Sequence, residues 1–177
     1  MLQLEILPPT IADATALLDF ELANRTYFEA RINARPANFY NYETVRYSIE
    51  EASQHRILGT GYQYLIKSSG EILGRINLSG VAKRYYNKAT LGYRIGESHG
   101  GQGIGTQAVR LLLNEAFDGL ALWRIEAQVR EDNLGSIRVL EKNGFSIYGR
   151  AKKSMYFNDA WGDLLHFECR SPRGPIL

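Results

Sequence analysis

The chain has 177 residues, 45% of them hydrophobic, and its 21 Lys and Arg against 19 Asp and Glu leave a formal net charge of +2. That length and apolar content fit one globular domain with a full core, and so small a positive excess gives no basis for a nucleic-acid or membrane partner. The start MLQLEILPPT lacks a basic, apolar leader pattern, no run approaches the ~18 apolar residues of a spanning helix, and Cys169 is the only cysteine, so a cytoplasmic protein without an intrachain disulfide is expected.

In chain order, Gln3 to Leu7 reads as a strand stopped by Pro8 and Pro9. Thr10 opens a helix with Asp13 placed as in a capping box, and Ala16, Leu17, Phe20 and Ala23 supply its stripe. A second helix spans Tyr42 to Arg56. Tyr62 to Ile66, a turn at Ser68 to Gly70, and Ile72 to Leu78 form a β-hairpin, so the sheet is antiparallel there. Lys83, Arg84 and Lys88 read as a solvated loop, and Ala89 to Ile95 as the next strand. A glycine-rich turn leads into a helix carrying Ala108, Leu111, Leu112 and Ala116 on one face and ending at Asp118 and Gly119.

From Leu122 to Arg130, Trp123, Ile125, Ala127 and Val129 alternate with Arg124, Glu126, Gln128 and Arg130, the pattern of a strand with one buried face. Asn133 opens the following helix, and Asn143 with Gly144 closes it. Phe145 to Gly149 and Leu164 to Cys169 are the last strands, with Asn158 to Asp163 in their connection, and the tail from Ser171 is expected to fray. No repeat or linker divides residues 1–170 from one another, and residues 171–177 form the tail. This order implies an α/β (α+β) single domain, a mixed, mostly antiparallel sheet flanked by helices.

The segment LGYRIGESHGGQGIGTQAV, Leu91 to Val109, joins a strand to a glycine turn and a helix, an arrangement that aims free backbone amides at a pyrophosphate. A Walker A loop would need a lysine where Thr106 stands, which argues against an NTP hydrolase. A dinucleotide fingerprint is matched by Gly103, Gly105 and Ala108 with Glu126 about 20 residues on, but too little chain follows to complete a doubly wound sheet. The third pattern, Q/R-x-x-G-x-[G/A], fits Gly100 to Gly105 apart from its first position, where Gly100 stands.

Together with NLGSIRVLEKNGF, Asn133 to Phe145, that segment resembles the GNAT superfamily of N-acetyltransferases, and within it the branch that acetylates N-terminal amines of ribosomal proteins. The resemblance implies an enzyme with acetyl-CoA as cosubstrate and no metal. Main-chain groups of Tyr93, Arg94 and Ile95 would hold the thioester and pantetheine where that strand parts from its neighbour. Gly101, Gln102, Gly103, Ile104, Gly105 and Thr106 would present the phosphate-binding amides. Asn133 would cap its helix or bond the pantetheine amide. Many relatives carry a tyrosine as thiolate-protonating acid where Leu140 stands here, which shifts that role to Ser136. Gln128 occupies a position where some relatives have a glutamate base, leaving Glu97, Glu126 and Glu168 as candidate bases.

The acceptor implied is a protein N-terminal amine; a polyamine, aminoglycoside or amino acid is the alternative, and a non-catalytic CoA sensor a further one. The resemblance leaves monomer and homodimer both open. Tyr27, Phe28, Phe39, Tyr40, Tyr42 and Tyr47 read as core packing first and as walls of the acceptor cleft second. His166 and Cys169 fall on opposite faces of their strand, and His55 and His99 are isolated, so no metal site is expected.

Overall fold

The computed structural model describes residues 3–32 and 34–175. Its elements are β1 (Glu5–Leu7), α1 (Ala14–Ala23), α2 (Arg25–Glu29), α3 (Tyr42–Leu58), β2 (Tyr62–Ser68), β3 (Glu71–Ala82) and β4 (Lys88–Ile95). Then follow α4 (Ile104–Asn114), which runs on into a π turn at Glu115–Gly119, β5 (Arg124–Arg130), α5 (Leu134–Lys142), β6 (Ser146–Phe157) and β7 (Ala160–Arg170).

The seven strands form one sheet in the order β1-β2-β3-β4-β5-β7-β6. Neighbours are antiparallel except β4 and β5, whose parallel pairing covers only Lys88 with Arg124, Ala89 with Ile125 and Thr90 with Glu126. Beyond that point the two strands diverge.

Alternation along the strands decides which helix covers which face. Tyr64 and Ile66 of β2 join Leu73, Ile125 and Phe167 in a core closed by Ala108, Val109 and Leu112 of α4 and Leu140 of α5. Leu65, between Tyr64 and Ile66, points the other way and packs with Leu17 and Phe20 of α1 and Val45 and Ile49 of α3. The sheet is thus buried on both faces at β2 and β3, and each fully buried Leu, Ile or Phe contributes about 1.5–3 kcal/mol.

Local signals set the helix ends. The Thr10 N–H donates to Asp13 Oδ2 at 2.8 Å, Asn41 Oδ1 accepts from the Thr44 N–H at 2.9 Å, and Asn133 Oδ1 accepts from the Ser136 N–H at 3.1 Å. The chain from Thr10 first makes a 3₁₀ turn at Ile11–Asp13 before α1 begins.

Three expectations are corrected. The first strand is shorter than Gln3 to Leu7, because only Glu5–Leu7 pair with Lys67–Leu65. The last two strands are far longer, since Asn158 to Asp163 is not an open connection. The chain reverses at Asn158 and Asp159 alone, both at positive φ (48° and 59°), and Met155 pairs with Gly162 and Tyr156 with Trp161. The tail is docked at its root: Ser171 is buried and its N–H donates to the Trp123 carbonyl at 2.9 Å, while Arg173 meets Asp118 at 2.8 Å. Residues 176 and 177 of that tail lie outside the described chain.

Candidate active site

The turn between β4 and α4 is built around left-handed backbone. Gly101 and Gly103 have φ of 73° and 81°, and nothing lies within 4 Å of where a Cβ would sit on either, so glycine is there for the backbone angle and an open approach. Gln102 steadies the turn, its Nε2 donating to the Ser98 carbonyl at 2.9 Å. Gly103 precedes the first helical residue of α4, and the first intrahelical bond runs from Gln107 N–H to the Gly103 carbonyl at 3.0 Å. The N–H groups of Ile104, Gly105 and Thr106 are therefore free of helix partners and carry the positive end of the helix dipole.

These residues line a cleft of about 610 Å³ together with Asn133, Ser136, Arg138 and Lys142 of the α5 segment. Free amides and two flanking cations suit this cleft to an anion. Arg138 and Lys142 were missed in the sequence because a cation on an amphipathic helix reads as solvated until the neighbouring helix is placed.

The divergence of β4 from β5 opens a second cavity of about 180 Å³. Its walls are Leu91, Gly92 and Tyr93 on one strand and Ala127 to Arg130 on the other, with Asn133 and Ser136 at one end. Past Thr90 and Glu126 the facing strand edges are not paired with each other, so they can accept a ligand as a strand accepts a strand. Gln128, where a base was sought, lines this gap.

Tyr93 was expected to matter only through its main chain. Its hydroxyl is buried beside Ser136 without closing a full hydrogen bond, and burial pushes its pKa up, with Ser136 acting against that rise. The phenol therefore stays protonated at neutral pH. Leu140, where a tyrosine acid would stand, is a buried core residue.

A third cavity of about 530 Å³ lies where α3, β3 and β4 meet and includes Phe39 and Tyr47 from the aromatic group. Ile32 and Tyr93 belong to all three cavities. Helix α2, unforeseen in the sequence, carries Tyr27 and Phe28 onto the wall of the cleft at the glycine turn, and Ile32 follows it.

The three candidate bases are not brought to these cavities. Glu126 is held by Lys88 at 2.8 Å and Arg124 at 2.6 Å, and Glu168 by Arg170 at 2.7 Å and Arg124 at 3.5 Å. Glu97 is exposed on the turn before the glycine loop. The carboxylate that does line the third cavity is Glu51 of α3, which no sequence motif singled out. Among the described residues no group of three or more His, Cys, Asp or Glu is placed to hold a metal.

A sheet that parts beside a helix N-terminus without a side-chain cap offers an extended ligand a strand edge and its phosphates a set of free amides, the arrangement that the resemblance to acyltransferases implies. Residues 3–146 match the acetyltransferase (GNAT) domain, and the chain belongs to that family. It is an N-acetyltransferase, and its cosubstrate is acetyl-CoA.

The chain is 36% identical over 158 residues to the probable N-acetyltransferase YjcK of Bacillus subtilis (strain 168), covering 88% of this chain and 87% of that one. To the ribosomal-protein-serine acetyltransferase of Escherichia coli (strain K12) it is 30% identical over 142 residues, covering 80% and 78%. Among solved structures, Mycobacterium smegmatis RimJ in complex with CoA-disulfide superposes with a TM-score of 0.88 at 25% identity, covering 98% of this chain and 84% of that chain.

Proposed function

We propose that this enzyme transfers the acetyl group of acetyl-CoA to the N-terminal α-amine of a protein, of the ribosomal-protein type, by direct attack within a ternary complex. The observation that carries the reading is the meeting of three cavities at Tyr93 and Ile32, which lets donor and acceptor reach one point in the sheet from different sides.

The pyrophosphate lies on the amides of Gly101, Gln102, Gly103, Ile104, Gly105 and Thr106, and the pantetheine arm in the gap along Tyr93, Arg94 and Ile95. Asn133 uses its oxygen for the helix cap and offers its Nδ2 donors to a pantetheine amide. The amine nitrogen adds to the thioester carbonyl, whose oxygen charge is met by a main-chain N–H of the parted strand. The C–S bond then breaks. The Ser136 hydroxyl, with the Tyr93 phenol behind it, donates a hydrogen bond to the developing thiolate, the nitrogen loses its proton to solvent, and the departing CoA thiolate takes its proton from solvent. Cys169 lines none of the three cavities and its thiol is held up by burial, which supports direct transfer over a cysteine-bound intermediate.

The test is thiol release from acetyl-CoA against peptides beginning with Ala or Ser and against a polyamine, an aminoglycoside and free amino acids. The highest kcat/KM is expected for a peptide. A small amine exceeding every peptide overturns the protein-acceptor reading in favour of small-molecule acetylation.

A further inference from the structure

Three arginines that line the third cavity converge on one buried carboxylate. Glu21 of α1 is buried; its Oε1 accepts from Arg75 Nη1 at 2.7 Å and faces Arg35 Nη2 at 3.5 Å, and its Oε2 accepts from Arg94 Nη1 at 3.2 Å. Locking α1 to the sheet needs one such partner, and Arg75 meets that need, with its other fork nitrogen held by Gln63 Oε1 at 2.8 Å. Arg35 and Arg94 add two positive charges beyond the one that Glu21 balances, and among the described residues Glu51, the carboxylate lining the same cavity, makes no ion pair with them.

Both surplus guanidinium groups are held in place. Arg35 stacks on Phe39 at 4.1 Å and Arg94 on Phe28 at 5.2 Å, and their side chains are 25% and 21% exposed. Arg35 Nε is buried with no hydrogen-bond partner among the described residues. Burial, opposed by Glu21 and reinforced by Arg35 and Arg75, brings Arg94 down to about 10. Cations crowded and partly desolvated in this way are relieved by an anion from outside. Arg35, Arg75 and Arg94 all line the cavity that reaches the gap at Tyr93.

We infer that this cluster is an anion subsite for the acceptor: the molecule whose amine enters the gap at Tyr93 carries a carboxylate that Arg35 and Arg94 receive, supplied by an acidic side chain close to the N-terminus of an acceptor peptide. The inference rests on the amine-transfer reading above and names the acceptor's chemistry. The same surplus charge disfavours the ammonium form of an amine held nearby, which lessens the need for a carboxylate base at the gap.

The experiment compares peptides beginning Ser-Asp-Asp, Ser-Asn-Asn and Ser-Lys-Lys as acceptors, alongside free aspartate and its diamide, in native enzyme and in Arg35→Gln. The acidic peptide is expected to exceed the neutral one in kcat/KM by about tenfold, in the range of a charge-assisted contact, and Arg35→Gln to collapse that ratio towards one. A ratio near one in native enzyme, or preference for the lysine peptide, overturns the subsite.

Binding of the Nα-acetylated acidic and neutral peptides to the native enzyme loaded with CoA separates the two readings without needing a variant or turnover. Tighter binding of the acidic product with no peptide turned over keeps the subsite and removes the protein-acceptor reading; if free aspartate is then acetylated and its diamide is not, the carboxylate belongs to a small acceptor. Equal binding of both products overturns the subsite even if both peptides are acetylated.

Discussion

Ser136 is reached by two lines of hydrogen-bond logic at once. Its N–H is taken by Asn133 Oδ1, which fixes the first turn of α5, while its hydroxyl faces the gap with the buried Tyr93 phenol beside it. A serine hydroxyl is a weak acid, so its contribution is a bond that strengthens as charge grows on sulfur. Ser136→Ala should lower kcat by ~10² or less and leave the KM for acetyl-CoA nearly unchanged. Tyr93→Phe should lower kcat by a smaller factor and cost little more when added to Ser136→Ala, because the phenol acts through the serine. Full additivity of the two losses, measured by single-turnover kinetics, would detach Tyr93 from that role. Asn133 and Ser136 were legible because a cap is a local pattern. The Tyr93 phenol and the arginine cluster were not: Glu21 and Arg94 lie 73 residues apart, and no periodicity links α1 to β4.

At the scale of elements, the entry to α1 joins a cap to the sheet. Asp13 accepts from the Thr10 N–H at 2.8 Å and pairs with Lys67 of β2. Burial pushes the Asp13 carboxyl up, but the bonds from Lys67 and Thr10 outweigh it and hold the group below its ordinary value of 3.8. A folded pKa below the unfolded one means stability that is present above the unfolded value and lost as pH falls through the folded one. Asp13→Asn should therefore cost about 1 kcal/mol at pH 7, a typical cap and half-buried pair contribution, with the difference shrinking below about pH 4. Denaturant unfolding at both pH values checks this; a difference that is constant or grows in acid would assign the effect to packing. The glycine turn, α3, α4 and β5 were legible because their patterns are strong and their punctuation local. The β6–β7 hairpin was not, since most β6 side chains are exposed and show no alternation, and Asn158–Asp159 is a less familiar hairpin pair than Asn-Gly. Helix α2 is too short for a period to register.

For the whole molecule, the function follows from one interruption in an otherwise continuous sheet. Because β5 is paired along its other edge with β7 from Arg124 to Arg130, and β4 with β3 up to Ile95, each side of the gap is braced independently and the gap persists without a ligand to hold it. A ligand bridging α4, β4 and α5 stabilises the fold by RT ln(1 + [L]/Kd), about 2.7 kcal/mol at a hundredfold excess over Kd. For a chain of this size that raises Tm by roughly 5–10 °C. Acetyl-CoA should produce such a shift, CoA a smaller one, and NAD and ATP none, since a parallel pair of three residues in a mostly antiparallel sheet is no doubly wound crevice. Gly103→Val should abolish the acetyl-CoA shift, because a β-branched residue is strained at φ 81° and its methyls would stand where the phosphate approaches the backbone. An equal shift from NAD would instead restore the dinucleotide pattern of Gly103, Gly105 and Ala108 as the working one. An undiminished acetyl-CoA shift in a folded Gly103→Val protein would move the phosphates away from this turn.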